Sequence, residues 1–428
     1  MKMKNRVMAA FVTFGRRVRS ASRNLWTRVL LISVLCLLAV LIAKVLGDFI
    51  PDGFAEIVGA ESVTELLTII ANAMLAVTTF SLSVMVTIHR AVAGQWTPRA
   101  HQMLLRDTPT QTVLATFIGA YIYALASLIL LSTPFFGEAE IVVLFGVTLA
   151  VIALIVAMIV RWIMHLQTWG SLEQTATAIE TAAETAFREL ADRPCQGANP
   201  LTPDTVIPAG AVDLLARDTG YVQAVLFEKV SADAEEERAQ VYFLAPIGRF
   251  VHRGDVIGHM AGGSDGLARK IGTWITIGPS RTPDQDPRFC LIMLSEVGSK
   301  ALSAGINDPG TAIDVIGRIA RLIEGYSPEV DRDHTPDYSN LWAPVLDPVD
   351  LVQEPLAPLA RDGAAQVEVQ IVLQKRLAGL ARHAPPAIAD AARVLAKDAL
   401  AQANAAIPGE GDRKRLAATM VSLSEIRE

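Results

Sequence analysis

The chain has 428 residues, enough for two or three domains, and combines 51% hydrophobic with only 19% charged residues. The average hides a division near Gly170: residues 1–170 hold 13 Lys+Arg against 8 Asp+Glu, whereas residues 171–428 hold 25 against 36. An acidic second part argues against a nucleic-acid partner, since phosphate asks for a basic face. Three scattered cysteines, Cys36, Cys195 and Cys290, argue against a disulfide framework or a zinc site and read as buried or idle thiols.

The amino terminus is basic and runs into an apolar stretch, as a signal peptide does. Leu25–Ile50 is too long for a signal h-region, however, and no small-residue cleavage site follows. The stretch is therefore expected to remain as a first membrane span. A helix needs about 20 predominantly apolar residues to cross roughly 30 Å of hydrocarbon. Four stretches meet that requirement: Trp26–Ile50, Leu66–Ile88, Val113–Leu131 and Ile141–Met164. Lys2, Lys4, Arg6, Arg16, Arg17, Arg19 and Arg23 precede the first span and Arg28 lies at its start, whereas Asp48 at its far end and Asp52, Glu56, Glu61 and Glu65 beyond it come without a base. The positive-inside rule then places both termini in the cytoplasm, and the bases Arg90, Arg99 and Arg106 of the second loop agree. Lys44, near the outer end of the first span, is expected to snorkel toward the headgroups.

The second span carries Thr68, Asn72, Thr79 and Ser83 at offsets of four, seven and four, with Thr87 a turn further on. That spacing collects them on one helical face. Such a stripe either bonds to neighbouring helices as glue or lines a wet path when several subunits gather around an axis. On the third span, Gly119, Ala120, Ala124 and Ser127 allow close helix approach, while Tyr121 and Tyr123 offer hydroxyls for bonding inside a bundle. No span holds an Asp, Glu or His pair of the sort that marks proton-coupled pumps or intramembrane proteases.

Several strings have a family character. Gln95-Trp96-Thr97-Pro98-Arg99 is followed by Leu105-Arg106-Asp107, Gln111 and the Phe117…Tyr123 part of the third span. Further on come Gly220-Tyr221-Val222-Gln223-Ala224, Arg281 with Gln285-Asp286-Pro287-Arg288-Phe289, and the long run Ala301-Leu302-Ser303-Ala304-Gly305-Ile306-Asn307-Asp308-Pro309-Gly310-Thr311-Ala312. Together these resemble the bacterial predicted membrane protein family called domain of unknown function 2254, from the second span to about residue 320. The resemblance implies a membrane architecture and a bacterial origin, and the expected location is the inner membrane.

After the last span, Leu172, Ala176, Ile179, Ala183 and Phe187 keep helical spacing, which predicts an amphipathic stalk helix. A proline-rich break follows, and a short helix is expected at Ala211–Arg217. Strands are expected at Tyr221–Phe227, Ala239–Leu244 and Asp255–Met260, where the residues alternate or are β-branched. The segment Pro246–Ile257, with Gly248 and Gly254 reversing the chain, resembles the turn-and-strand pattern of small barrel-sandwich domains. Lys229 lacks the flanks of a lipoylated or biotinylated lysine, so no cofactor is expected. His252 and His259 lie seven apart and on opposite faces of a continuous strand, which speaks against a metal pair.

In the long run, Asn307 or Asp308 is placed to cap a helix with Pro309 at its first position. The functional alternative is that Arg281, Asp286, Arg288, Asn307 and Asp308 form a polar cluster that binds an ion or small ligand, or joins subunits. A Pro- and Asp-rich loop is expected at Ser327–Pro348, then two or three amphipathic helices between Val349 and Leu423.

The expected architecture is a membrane α-helical domain of four transmembrane helices plus a cytosolic α+β domain with a small β-rich, barrel-sandwich-like module and C-terminal helices. Its parts are a membrane domain at 1–170, a stalk and linker at 171–219, the β-rich module with its following helix at 220–325, and a loop and helical region at 326–428. No nucleophile elbow, phosphate-cradling loop or zinc-protease helix occurs, so an enzyme is the least supported class. Two functions fit. One is a homo-oligomeric ion channel with Thr68, Asn72, Thr79 and Ser83 toward the axis, gated by the cytosolic domain. The other is a membrane-anchored sensing or scaffolding protein whose cytosolic module binds a protein or small ligand.

Overall fold

The computed structural model describes residues 25–46, 59–95, 97–100, 108–168, 172–326 and 335–425. The chain forms two compact units: residues 1–95 with 101–174, and residues 175–428 joined by the short segment 96–100.

The first unit is helical. Its helices are α1 (Leu25–Leu46), α2 (Ala60–Gln95), α3 (Thr108–Leu131) and α4 (Glu138–Thr168). Three of them contain stretches long and apolar enough to cross a membrane: Ala60–Ile88, Pro109–Leu131 and Glu138–Leu166. The first of the four expected spans, Trp26–Ile50, falls on α1, which is 22 residues long, and part of it lies outside the described residues. In α1 the apolar segment among the described residues is Val29–Ile42, and the 22 residues of the helix rise about 33 Å in all. Residues 47–50 of that expected span lie outside the described ones.

Helix α3 packs against α1, α2 and α4. Small residues let it take that place: a Cβ on Gly119 would sit 2.5 Å from Ile32 Cγ2 of α1, so only glycine allows this approach without displacement. Phe117, Tyr123, Leu67 and Leu144 are fully buried between the helices, and the Tyr123 and Thr148 hydroxyls bond at 2.9 Å. Leu30, Phe80, Ile129 and Met164 lie on the outside, each more than half exposed. Water would penalise such a surface, and lipid does not. Lys44 is paired with the first turn of α4 and the loop before it: its Nζ lies 2.5 Å from Glu140 Oε1 and over the Phe135 ring.

The second unit begins with α5 (Leu172–Asp192), the expected stalk helix. A tight turn follows in which Cys195, Gln196 and Gly197 all have positive φ. Two sheets come next. The larger is five-stranded in the order β1 (Ala198–Leu201), β8 (Tyr338–Pro344), β4 (Gln240–Phe243), β6 (Val256–Ala261), β2 (Val212–Leu215). The smaller is antiparallel, in the order β5 (Phe250–Val251), β3 (Gly220–Val225), β7 (Ile275–Gly278). Helices α6 (Phe227–Glu236) and α7 (Asp265–Ile271) sit between strands.

Strands β3, β4 and β6 lie where alternation predicts them. The barrel-sandwich expectation is corrected: neither sheet closes, since one ends at β1 and β2 and the other at β5 and β7. The strand that joins β1 to the rest of the large sheet comes from the segment read as a loop. Strand β8 runs parallel to both β1 and β4 and inserts between them, with Trp342 stacked on Tyr242 at 4.6 Å. Residues Ala211–Arg217, expected as a helix, hold β2, which pairs antiparallel with β6 and brings Asp213 Oδ1 within 2.9 Å of His259 Nδ1. The expected chain reversal at Gly248 is present: its φ is +87°, and its N–H donates to the Val222 carbonyl at 2.8 Å.

Helices α8 (Pro287–Ala301) and α9 (Pro309–Glu324) follow the sheets, and after β8 come α10 (Pro348–Asp362), α11 (Val367–His383), α12 (Pro386–Ala406) and α13 (Glu410–Glu425). The last region thus has four helices rather than two or three. The additional break falls at Gly363, which ends α10 three residues before the cap of α11. An ion triad around the buried Glu180 ties α5 to α9: Glu180 accepts from Arg318 at 2.5 Å and also pairs with Arg321.

Candidate functional site

In the first unit eight polar positions of α2 share one face. At 3.6 residues per turn, Glu61, Glu65, Thr68, Asn72, Thr79, Ser83, Thr87 and Arg90 fall within a sector of about 100°, and every one of them is exposed. The opposite face, with Val63, Leu67, Ile70 and Met74, is buried against the rest of the unit. The stripe therefore does not glue this unit's own helices together. Its threonines are satisfied locally: Thr68 donates to the Thr64 carbonyl at 2.8 Å, Thr79 to Leu75 at 2.6 Å and Thr87 to Ser83 at 2.9 Å. The Asn72 amide has no hydrogen-bond partner among the described residues, although it sits on the apolar span.

In the second unit the five residues of the expected cluster divide among three arrangements. Arg281 grips Asp286 through two bonds of 2.8 and 2.9 Å, and Asp286 Oδ1 also accepts from the Phe289 N–H that it caps. Asp286 is 2% exposed. Burial pushes its carboxyl above the ordinary carboxylate value, and Arg281 pulls in the opposite direction. Arg288 turns to α10, where it meets Glu354 at 2.7 Å and Asp350 at 2.9 Å. Asp308 caps α9 by accepting from the Thr311 N–H at 3.1 Å and the Thr311 hydroxyl at 2.5 Å. Those bonds hold its carboxyl below the usual range. Asn307 is exposed, with φ of +49°, in the turn before the cap.

The Phe289 ring carries two guanidinium groups, Arg281 at 5.3 Å and Arg99 at 5.8 Å. Arg99 also pairs with Glu296 on α8. The strings quoted from distant parts of the sequence thus meet on α8. Gln223 belongs to the same neighbourhood of short motifs, donating to the Ser280 carbonyl at 2.6 Å.

Beside Asp286 lies a cavity of about 310 Å³. Its wall is mainly apolar, from Val225, Phe227, Phe243, Ile247 and Leu346, and its polar members include Cys195, Gln285, Asp286 and Tyr326. Gln285 is committed to the backbone of Val225, whose N–H it accepts at 3.1 Å. Burial raises the Cys195 thiol to about 11 and pushes the Tyr326 phenol well above its ordinary value.

Sequence reasoning missed Glu296, Glu354, Glu180 and the Cys195–Tyr326 pair, because each is defined by a partner far away in the chain. One local signal was available for the caps. The dipeptide Asp-Pro occurs at 286–287, 308–309 and 347–348, and in all three the aspartate caps the helix that the proline begins.

Comparison with known proteins agrees with this architecture. Residues 22–379 match the family described as predicted membrane protein (DUF2254). Relatives include the uncharacterized proteins MT1328 of Mycobacterium tuberculosis (strain CDC 1551 / Oshkosh) and Mb1321c of Mycobacterium bovis (strain ATCC BAA-935 / AF2122/97). Each is 28% identical over 272 residues, covering 60% of this chain and 51% of the relative. The chain thus spans about half the length of the curated relatives it matches. No solved structure matches. With the match extending from α1 into α11, the chain belongs to the DUF2254 family of predicted membrane proteins.

Proposed function

We infer that this protein is a non-catalytic, homo-oligomeric ion channel of the bacterial inner membrane, with Thr68, Asn72, Thr79 and Ser83 toward a shared axis and both termini in the cytoplasm. The observation that carries the reading is the Asn72 amide, exposed on an apolar span without a partner among the described residues. An unpaired amide in hydrocarbon costs about 2–7 kcal/mol. Water in a pore, or the same residue on neighbouring subunits, removes that cost. A stripe running from Glu61 to Arg90 suits a continuous wet path better than a single contact. Gating by the second unit is supported by the segment 96–100, which follows α2 directly in the chain and clusters with that unit.

The test is conductance of purified protein in planar bilayers. Wild type is expected to pass current, and Asn72→Leu to change unitary conductance by about twofold or more. Absence of wild-type current under voltage, tension and pH change would return the protein to a second reading, a membrane-anchored sensing or scaffolding protein. That reading is favoured by the threonine hydroxyls of α2, which bond to their own helix and so tolerate lipid without any pore.

A further inference from the structure

We propose that the cavity between Cys195, Phe227, Phe243 and Tyr326 is a binding site for a small, uncharged aromatic molecule of about two fused rings bearing one hydrogen-bonding group.

Size comes first. A 150 Å³ apolar cavity holds one benzene ring, so about 310 Å³ accommodates roughly two. The wall then sets the chemistry. The Phe227 and Phe243 rings lie 5.3 Å apart edge to face, and with Tyr326 they offer aromatic surface to a flat ligand. The charge in the wall is already spent, because Asp286 is clasped by Arg281 and caps α8. Gln285 is held by Val225. What remains is the Tyr326 hydroxyl, the Cys195 thiol and the Gln196 amide, none of which has a side-chain hydrogen-bond partner among the described residues; Tyr326 and Cys195 are 5% and 6% exposed. All three groups are neutral, so a charged ligand would surrender its hydration without gaining a counter-charge, whereas a neutral one needs only a single bond.

The backbone supports the assignment independently. Cys195 and Gln196 have φ of 51° and 61°, a conformation that non-glycine residues rarely adopt and that the surrounding structure must enforce. This turn forms one side of the cavity, and the Gln285-Asp286-Pro287 string forms another. The site stands whether or not the spans conduct.

The experiment uses the full chain in lipid nanodiscs, with 2-naphthol as probe, calorimetry as readout and empty nanodiscs as reference. Saturable binding of one 2-naphthol per chain is expected above the reference. Tyr326→Phe should weaken 2-naphthol roughly 5- to 10-fold, the loss of one hydrogen bond, and leave naphthalene binding unchanged. Ala343→Phe, which fills the cavity, should abolish binding of both while the thermal transition is retained. Bound 2-naphthol should also slow alkylation of Cys195, read by site-resolved mass spectrometry. Wild type that binds no probe above empty nanodiscs overturns the proposal. So does 2-naphthalenesulfonate binding as tightly as 2-naphthol, or Tyr326→Phe binding both probes as wild type does.

Discussion

The two units place polar side chains on opposite sides of their cores. In the first, the stripe of α2 from Glu61 to Arg90 is outside, and the interior holds small or apolar residues and hydroxyls such as Ser81, Ser127 and Thr148 but no charge among the described residues. In the second, Asp286, Glu180 and their arginines lie inside or at the edge of the helical layer, each matched by an opposite charge. The contrast teaches that polarity alone does not place a residue. In lipid the backbone satisfies a threonine hydroxyl at no cost in packing, whereas a charge buried within protein needs a dedicated partner.

The comparison is broken most severely at Asp286. Replacing it with Ala leaves Arg281 buried without its counter-charge and uncaps α8. Thermal or denaturant unfolding of the full chain should register a loss of about 3–5 kcal/mol. Asp286→Leu combined with Arg281→Met should lose much less, because no lone charge remains. If the single and double variants are equally unstable, charge pairing is not what holds this region.

Glu180 comes second. Arg318 is 12% exposed but Arg321 is 64% exposed, so part of the triad is screened by solvent. Glu180→Ala should cost about 2–3 kcal/mol in the same measurement. Gly119→Val probes the first unit, where added volume meets Ile32. It should cost about 1–3 kcal/mol, seen as a lower unfolding temperature in detergent.

Asp308 gives a smaller effect with a pH signature. Its capping bonds depress the folded-state pKa. Their stabilisation is complete above the unfolded value of about 3.9 and is lost as pH falls through the lower folded value. Asp308→Ala should therefore cost about 1 kcal/mol at neutral pH, and its stability should converge on wild type in acid. Thr79→Val should be the mildest, within about 0.5 kcal/mol, because the hydroxyl serves only its own helix. A larger loss of stability there would show that the exposed face of α2 is packed in the assembled protein.

The sequence by itself determined the features that depend on near neighbours. The spacing of Thr68, Asn72, Thr79 and Ser83 put them on one face, Asp308 before Pro309 announced a helix start, and Gly248 marked a reversal, since each follows from backbone geometry within a few residues. Tertiary structure alone decided which way the α2 face points, because helical spacing defines a face without naming what covers it. It also decided that β8 enters the large sheet. That strand is stabilised by β1 and β4, roughly 140 and 100 residues earlier in the chain, and a short run containing proline carries little local signal for such pairing. The same holds for the polar residues on α8 and for the cavity: their chemistry comes from partners brought together by folding, so only the folded chain displays it.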